Sequence, residues 1–243
     1  MAIAYIDWSS QEVAIAAALS GDPFLIDAVA SGDPYLSFAV RAGLAPEGAT
    51  KASHRAVRDL CKACVLGTNY GMGAKTLAFR TNTSIVEAEA LLRTLARTYP
   101  VFSEWQSNSV DVALLRGYMS TVFGWKLHIT SNTRPTALRN FPMQAHGAEM
   151  LRIACCLATE RGVSVCAPVH DALLIEAPGD LIDDAVFAAR GAMAEAAAAV
   201  LGPAVWIDTD VDIVSYPDRY SDPRGAVMWE RVMELLGRGT SST

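Results

Sequence analysis

Two apolar segments, residues 163–169 and 173–176, stand so close that only a tight turn can join them, and that turn contains His170 and Asp171. Short apolar runs bounded by a turn are strand signals, too brief for ordinary helices. Asp171 is therefore expected at the tip of an apolar hairpin. Another strand, residues 3–6, runs straight into Asp7. A carboxylate at the end of a buried strand loses hydration and needs a partner or a metal to offset that cost. Both acids also have ordinary explanations, because a strand-end Asp often caps the next helix and His-Asp is common in turns.

Much of the remaining sequence is helical. Ser9-Ser10-Gln11-Glu12, with Ser9 and Glu12 at capping-box spacing, opens an Ala/Leu/Ile-rich helix that stops near Ser20-Gly21-Asp22-Pro23. Two Gly-Asp-Pro punctuations, at 21–23 and 32–34, separate short helices, and residues 42–53 read as a loop. Helices are expected at 54–69, 84–99 and 102–116, the second opened by a Ser84/Glu87 capping box. Residues 118–130 read as a small hairpin turning at Phe123-Gly124. Helices at 141–161 and 181–201 and a final strand at 205–214 complete an α+β pattern without internal repeats.

Composition limits the partners. With 51% hydrophobic residues the chain can bury a core, yet no apolar run approaches the roughly 18–20 residues of a membrane span. The first residues lack the basic lead and apolar length of a signal peptide, so a soluble cytoplasmic protein with no membrane partner is expected. Cys61 and Cys64 form a C-x-x-C, but no second ligand pair stands at zinc spacing, and the pair reads as small apolar residues of a helix. The net charge of −6 argues weakly against a polyanion. Residues 51–80, however, hold six cations against the single Asp59, a local balance of +5. Phosphate contacts are local, so this stretch suits a polyanion as well as it suits a solvated helix face. Within it Arg58, Lys62 and Leu66 fall on one helical stripe, with Tyr70 just beyond its end. Two cations on one stripe suit a triphosphate, although this spacing is usually just solvated.

In order and separation these segments resemble DNA polymerase family A, the class of bacterial DNA polymerase I and many phage replicases. The family's Asp-Tyr-Ser-Gln-x-Glu motif is similar to Asp7-Trp8-Ser9-Ser10-Gln11-Glu12. Its Arg-x3-Lys-x7-Tyr-Gly motif matches Arg58, Lys62, Tyr70 and Gly71. Its His-Asp-Glu between apolar strands resembles His170-Asp171-Ala172, and its Asn-x-Pro-x-Gln segment resembles Asn140-Phe141-Pro142-Met143-Gln144.

The resemblance implies a polymerase palm, a small antiparallel sheet with packed helices, from residues 1–22 and 118–243. A mostly helical fingers subdomain would be inserted at 23–117, with no thumb. It implies template-directed addition of dNTPs to a primer on primer-template DNA, with Asp7 and Asp171 binding two Mg²⁺ ions, for which Mn²⁺ could substitute. Arg58 and Lys62 would grip the triphosphate, and Lys62 would protonate the leaving pyrophosphate. Tyr70 would stack near the templating base pair, Asn140 and Gln144 would contact DNA beside the primer terminus, and His170 would touch the primer end. Glu12 would exclude a ribose 2′-hydroxyl, a role compatible with its place in a capping box.

The chain departs from the family pattern in four places. Leu66 stands where many relatives carry an aromatic residue, Ala172 replaces the Glu after the metal-binding Asp, and Ala14 replaces an Arg. A typical relative also carries a thumb, and often a 3′–5′ exonuclease, before the Asp7 motif, so this chain is expected either to be a fragment of a longer polymerase or to work with a separate chain that supplies both. Two rival readings remain: a non-catalytic, polymerase-like DNA-binding or replication-partner subunit, and a metal-dependent nuclease or phosphatase. Retention of both acids argues against the first. The Arg58–Lys62–Tyr70 helix, a nucleotide-selecting surface that hydrolysis does not require, argues against the second.

Overall fold

The computed structural model describes residues 1–222 and 225–237. β1 (Ala2–Trp8) buries Ala2, Ala4, Ile6 and Trp8, while Ile3, Tyr5 and Asp7 are half-covered on its other side. That alternation is the period-two signature of a strand with one face on a core. Burial of a side chain like Ile6 contributes about 1.5–3 kcal/mol. A one-residue slip would forfeit this and turn Asp7 inward, so the register is firmly set.

Seven helices follow: α1 (Gln11–Ser20), α2 (Pro23–Ala30), α3 (Pro34–Arg41), α4 (Arg55–Asn69), α5 (Ala74–Thr81), α6 (Ile85–Thr98) and α7 (Pro100–Arg116). The hairpin β2 (Tyr118–Ser120) and β3 (Lys126–His128) leads into α8 (Pro135–Glu160). Then come β4 (Ser164–Val169), β5 (Ala172–Ala177), α9 (Ile182–Leu201), β6 (Thr209–Ser215) and α10 (Ala226–Leu235). The main sheet is antiparallel in the order β4-β5-β1-β6, so the first strand is completed by strands from the far end of the sequence. The Ala-rich α9 packs on α8 and on the sheet. The class is α+β, as expected.

Both Gly-Asp-Pro turns start helices, with Pro23 and Pro34 in the first turn and Asp22 and Asp33 as caps. Asp22 is fully buried. Its Oδ1 accepts the N–H groups of Phe24 and Leu25 at 3.0 and 3.2 Å, and its Oδ2 accepts that of Phe102, in the first turn of α7, at 2.9 Å. The Ser84/Glu87 capping box forms as expected. Cys61 and Cys64 are buried in α4, where burial pushes both thiols up to about 12, as befits core residues.

Four expectations change. The Ser9/Glu12 capping box does not form. Only Ser9 and Ser10 separate β1 from α1, and the chain turns through Ser10 at φ 56°, which leaves Ser9 beside β6. α8 begins at Pro135 and continues through Pro142, which has no N–H to donate. β6 begins at Thr209, and Val205 and Ile207 are buried ahead of it. Beyond β6, where only a tail was expected, α10 exposes Met228, Trp229 and Leu235; it buries no residue, so no core-facing stripe marks it out. No described helix is long and apolar enough to cross a membrane.

Candidate active site

Asp7, the single acid of β1, lies on the half-covered side of the strand, directly opposite Ala172 on β5 and Asp210 on β6. Asp171 precedes β5 in a tight turn whose other residue, His170, adopts φ 59°. The backbone fixes the meeting of the two predicted acids, since the Trp8 N–H points to the Asp171 carbonyl at 3.4 Å. Burial, the charge of Asp171, a proton shared with Asp171 and the charge of Asp210 together push the Asp7 carboxyl up to about 7, against a pull from His170. Asp7 Oδ1 is enclosed without a hydrogen-bond partner. His170 Nδ1 donates to Asp171 Oδ1 at 2.8 Å, and that hydrogen bond, with the carboxylate's charge, raises the imidazole above its usual range.

Asp210 escaped the sequence reading. It accepts a hydrogen bond from Ser9 Oγ at 2.8 Å and borders, with Asp7, Tyr5, Asp212 and Arg219, an open cavity of about 620 Å³. The alternation Asp208-x-Asp210-x-Asp212 was visible, but only strand pairing shows which acid faces Asp7.

The acidic end offers hard oxygen donors and an enclosed, unpartnered oxygen, which suit Mg²⁺. Among the described residues no three His, Cys, Asp or Glu side chains converge as a complete metal cage. That is the ordinary case for magnesium, which commonly takes one or two carboxylates and leaves further positions to water and substrate phosphates.

Beside the acids lies a hydrogen-bonded knot. Tyr70 Oη donates to Glu12 Oε1 at 2.5 Å, and Gln144 Nε2 lies 2.8 Å from the same oxygen and 3.0 Å from Tyr70 Oη. Burial first, and then the hydrogen bond to Glu12, pushes the Tyr70 phenol up to about 12. Freed from capping, Glu12 reaches across to the end of α4 and to α8. α1 and α8 meet at Gly147, where a Cβ would stand 2.7 Å from Gln11 Oε1, so that the tip of the Gln11 side chain would have to move aside. Asn140 stands one turn before Gln144, its Oδ1 enclosed and without a partner.

Along α4, Lys62 is exposed and Leu66 packs half-buried against the core. Arg58 does not stand free: its Nε donates to Asp33 Oδ2 at 2.5 Å. The stripe joins the acidic end electrostatically, since Tyr35 feels Arg58 and Glu12, Tyr70 feels Asp171, and His170 feels Glu12. Asp7, Glu12, Tyr70, Gln144, His170 and Asp171 thus lie near one another, Arg58 and Lys62 join them through Tyr35, and Asn140 stands one turn before Gln144 on α8. Further along, residues 112–148 carry Arg116, Lys126, Arg134 and Arg139 with no Asp or Glu. Buried Glu149 and His146 hold the β2–β3 hairpin to α8 by accepting from Thr121 Oγ1 and the Val122 N–H.

The sequence profile of DNA polymerase family A matches residues 1–215. The thermostable DNA polymerase I of Thermus thermophilus is 28% identical over 190 residues, covering 72% of this chain and 22% of that protein. The DNA polymerase of Mycobacterium phage D29 is 28% identical over 213 residues, covering 87% and 34%. Among solved structures, the POL domain of Pol1 from M. smegmatis, in complex with DNA primer-template and dNTP, superposes with a TM-score of 0.76 at 25% identity. That match covers 88% of this chain and 39% of that one. The chain therefore spans well under half the length of these relatives.

Proposed function

Because the chain belongs to DNA polymerase family A, we propose that it is the nucleotide-adding part of a template-directed DNA polymerase acting on primer-template DNA and dNTPs in the cytoplasm. The observation that carries this reading is the meeting of Asp7 and Asp171 at one end of the sheet, with the Glu12–Tyr70–Gln144 knot beside them. Residues 1–22 and 118–243 act as palm and 23–117 as fingers.

Asp7 and Asp171 hold magnesium, which when bound as a pair supplies charge neutralisation and a more acidic primer 3′-hydroxyl. His170, hydrogen-bonded to Asp171, fixes that carboxylate's orientation and lies toward the primer end. Arg58 and Lys62 bind the triphosphate, and Lys62, exposed beside the Tyr35 ring, donates the proton taken up by the leaving pyrophosphate. Glu12, held by Tyr70 and Gln144, walls the sugar pocket against a 2′-hydroxyl, and Leu66 lies on the same stripe as the triphosphate cations. Tyr70, 41% exposed at the end of α4, offers its ring to the templating pair. Asn140 and Gln144 face the duplex beside the primer terminus, and the acid-free stretch 112–148 suits contact with its phosphates. A thumb and a proofreading domain, on the same polypeptide or on a separate chain, would raise processivity without altering the chemistry.

Primer extension with Mg²⁺ and dNTPs tests the proposal. Short, distributive extension is expected, with at least a thousandfold loss in Asp171→Asn. Glu12→Ala should admit ribonucleotides. Tight binding of primer-template with no extension, even when a relative's upstream region is added, would leave a DNA-binding subunit and overturn the enzymatic reading.

A further inference from the structure

The second Gly-Asp-Pro turn does more than start a helix. Asp33 Oδ1 accepts the Leu36 N–H at 3.1 Å and caps α3, while its Oδ2 accepts Arg58 Nε at 2.5 Å. Tyr35, only 4% exposed, lays its ring beneath both cations of the stripe. The Arg58 guanidinium carbon is 5.3 Å from the ring centre, and Lys62 Nζ is 5.5 Å from it. Asp59 adds only a loose contact to Arg58 at 3.8 Å from a mostly exposed position.

Like charges four residues apart on a helix repel one another. A free arginine also surrenders rotamer entropy when it is fixed. Asp33 and the negative face of the Tyr35 ring answer both problems before any nucleotide arrives. With Nε occupied and the plane resting on a ring, Arg58 has its terminal nitrogens left to meet an anion, on the side where Lys62 also stands.

We infer that Asp33 is a positioning residue for nucleotide binding: it holds Arg58 over Tyr35 so that Arg58 and Lys62 present their charges together to the triphosphate. This rests on the reading that Arg58 and Lys62 bind the triphosphate. It assigns α3 a part in substrate affinity although Asp33 itself touches no substrate.

The test compares Arg58→Ala, Asp33→Ser and Asp33→Asn in the full chain. Three quantities are measured: equilibrium binding of Mg·dNTP, KM and kcat for single-nucleotide incorporation, and Tm. Ser and Asn both retain helix-capping ability. Ser cannot reach Arg58, whereas Asn keeps a neutral acceptor. Asp33→Ser should weaken dNTP binding and raise KM about tenfold, with kcat within about twofold and Tm nearly unchanged. Asp33→Asn should fall between it and the wild type. If Arg58→Ala weakens binding but both Asp33 variants match the wild type, the positioning role is overturned and the triphosphate reading stands. If Arg58→Ala changes neither binding nor KM, the triphosphate reading fails and the inference with it. Should Asp33→Ser unfold, Asp33→Asn decides alone: weaker binding at unchanged Tm supports the role, and unchanged binding refutes it.

Discussion

Asp22 and Asp7 are both carboxylates drawn out of water, but their surroundings differ. Asp22 is fully buried, and its two oxygens accept three backbone N–H groups from the starts of α2 and α7. Asp7 is only half-covered, yet Oδ1 is enclosed without a partner, and burial first, then the neighbouring acids Asp171 and Asp210, push its carboxyl up to about 7. Donors surround the first, so its charge helps hold two helices in place. Like charges surround the second, and only a proton or a cation relieves it. The more buried acid is structural, and the less buried one belongs to the proposed site.

The largest expected effect belongs to Asp22. Asp22→Ala orphans donors at two helix starts and should cost about 3 kcal/mol in urea denaturation, while metal binding by the folded chain stays unchanged. A loss below about 1 kcal/mol would mean that water satisfies those donors, and the contrast would collapse. Asp7→Asn should move stability in the opposite direction. Relief of the repulsion should make the metal-free chain more stable, on the order of 1 kcal/mol once screening at a half-exposed site is allowed for. A destabilised Asp7→Asn would show that the acid is structural after all.

The smallest effect is a pH dependence of unusual sign. Between about 4 and about 7 folded Asp7 holds a proton that the unfolded chain has already released. The folded state binds more protons, so the stability of the metal-free wild type should fall as pH rises through this window. Asp7→Asn should lack that contribution. A wild type whose slope equals that of the variant would remove the electrostatic half of the comparison.

Much of this contrast was written locally in the sequence. Strand period placed Asp7 and Asp171 at strand ends, and the Gly-Asp-Pro turns announced helix starts. What was not legible depended on contacts between distant segments. Glu12 looked like a capping residue, because the spacing from Ser9 is right; the left-handed turn at Ser10 sends Ser9 to Asp210 and leaves Glu12 to Tyr70 and Gln144. Asp210 could not be told from Asp208 or Asp212 until β6 was paired with β1. Arg58 was legible as a triphosphate ligand, but its pairing with Asp33 was not, because Asp33 caps a different helix.

The central claim is that Asp7 and Asp171 form the metal-binding end of a nucleotidyl-transfer site, and Mn²⁺ titration followed by electron paramagnetic resonance, with dNTP present, tests it most directly. The wild type should immobilise about two ions per chain, with Asp7→Asn and Asp171→Asn each losing at least one and binding the remainder about tenfold more weakly. A double variant lacking both carboxylates that bound as many ions, as tightly as the wild type, would contradict it.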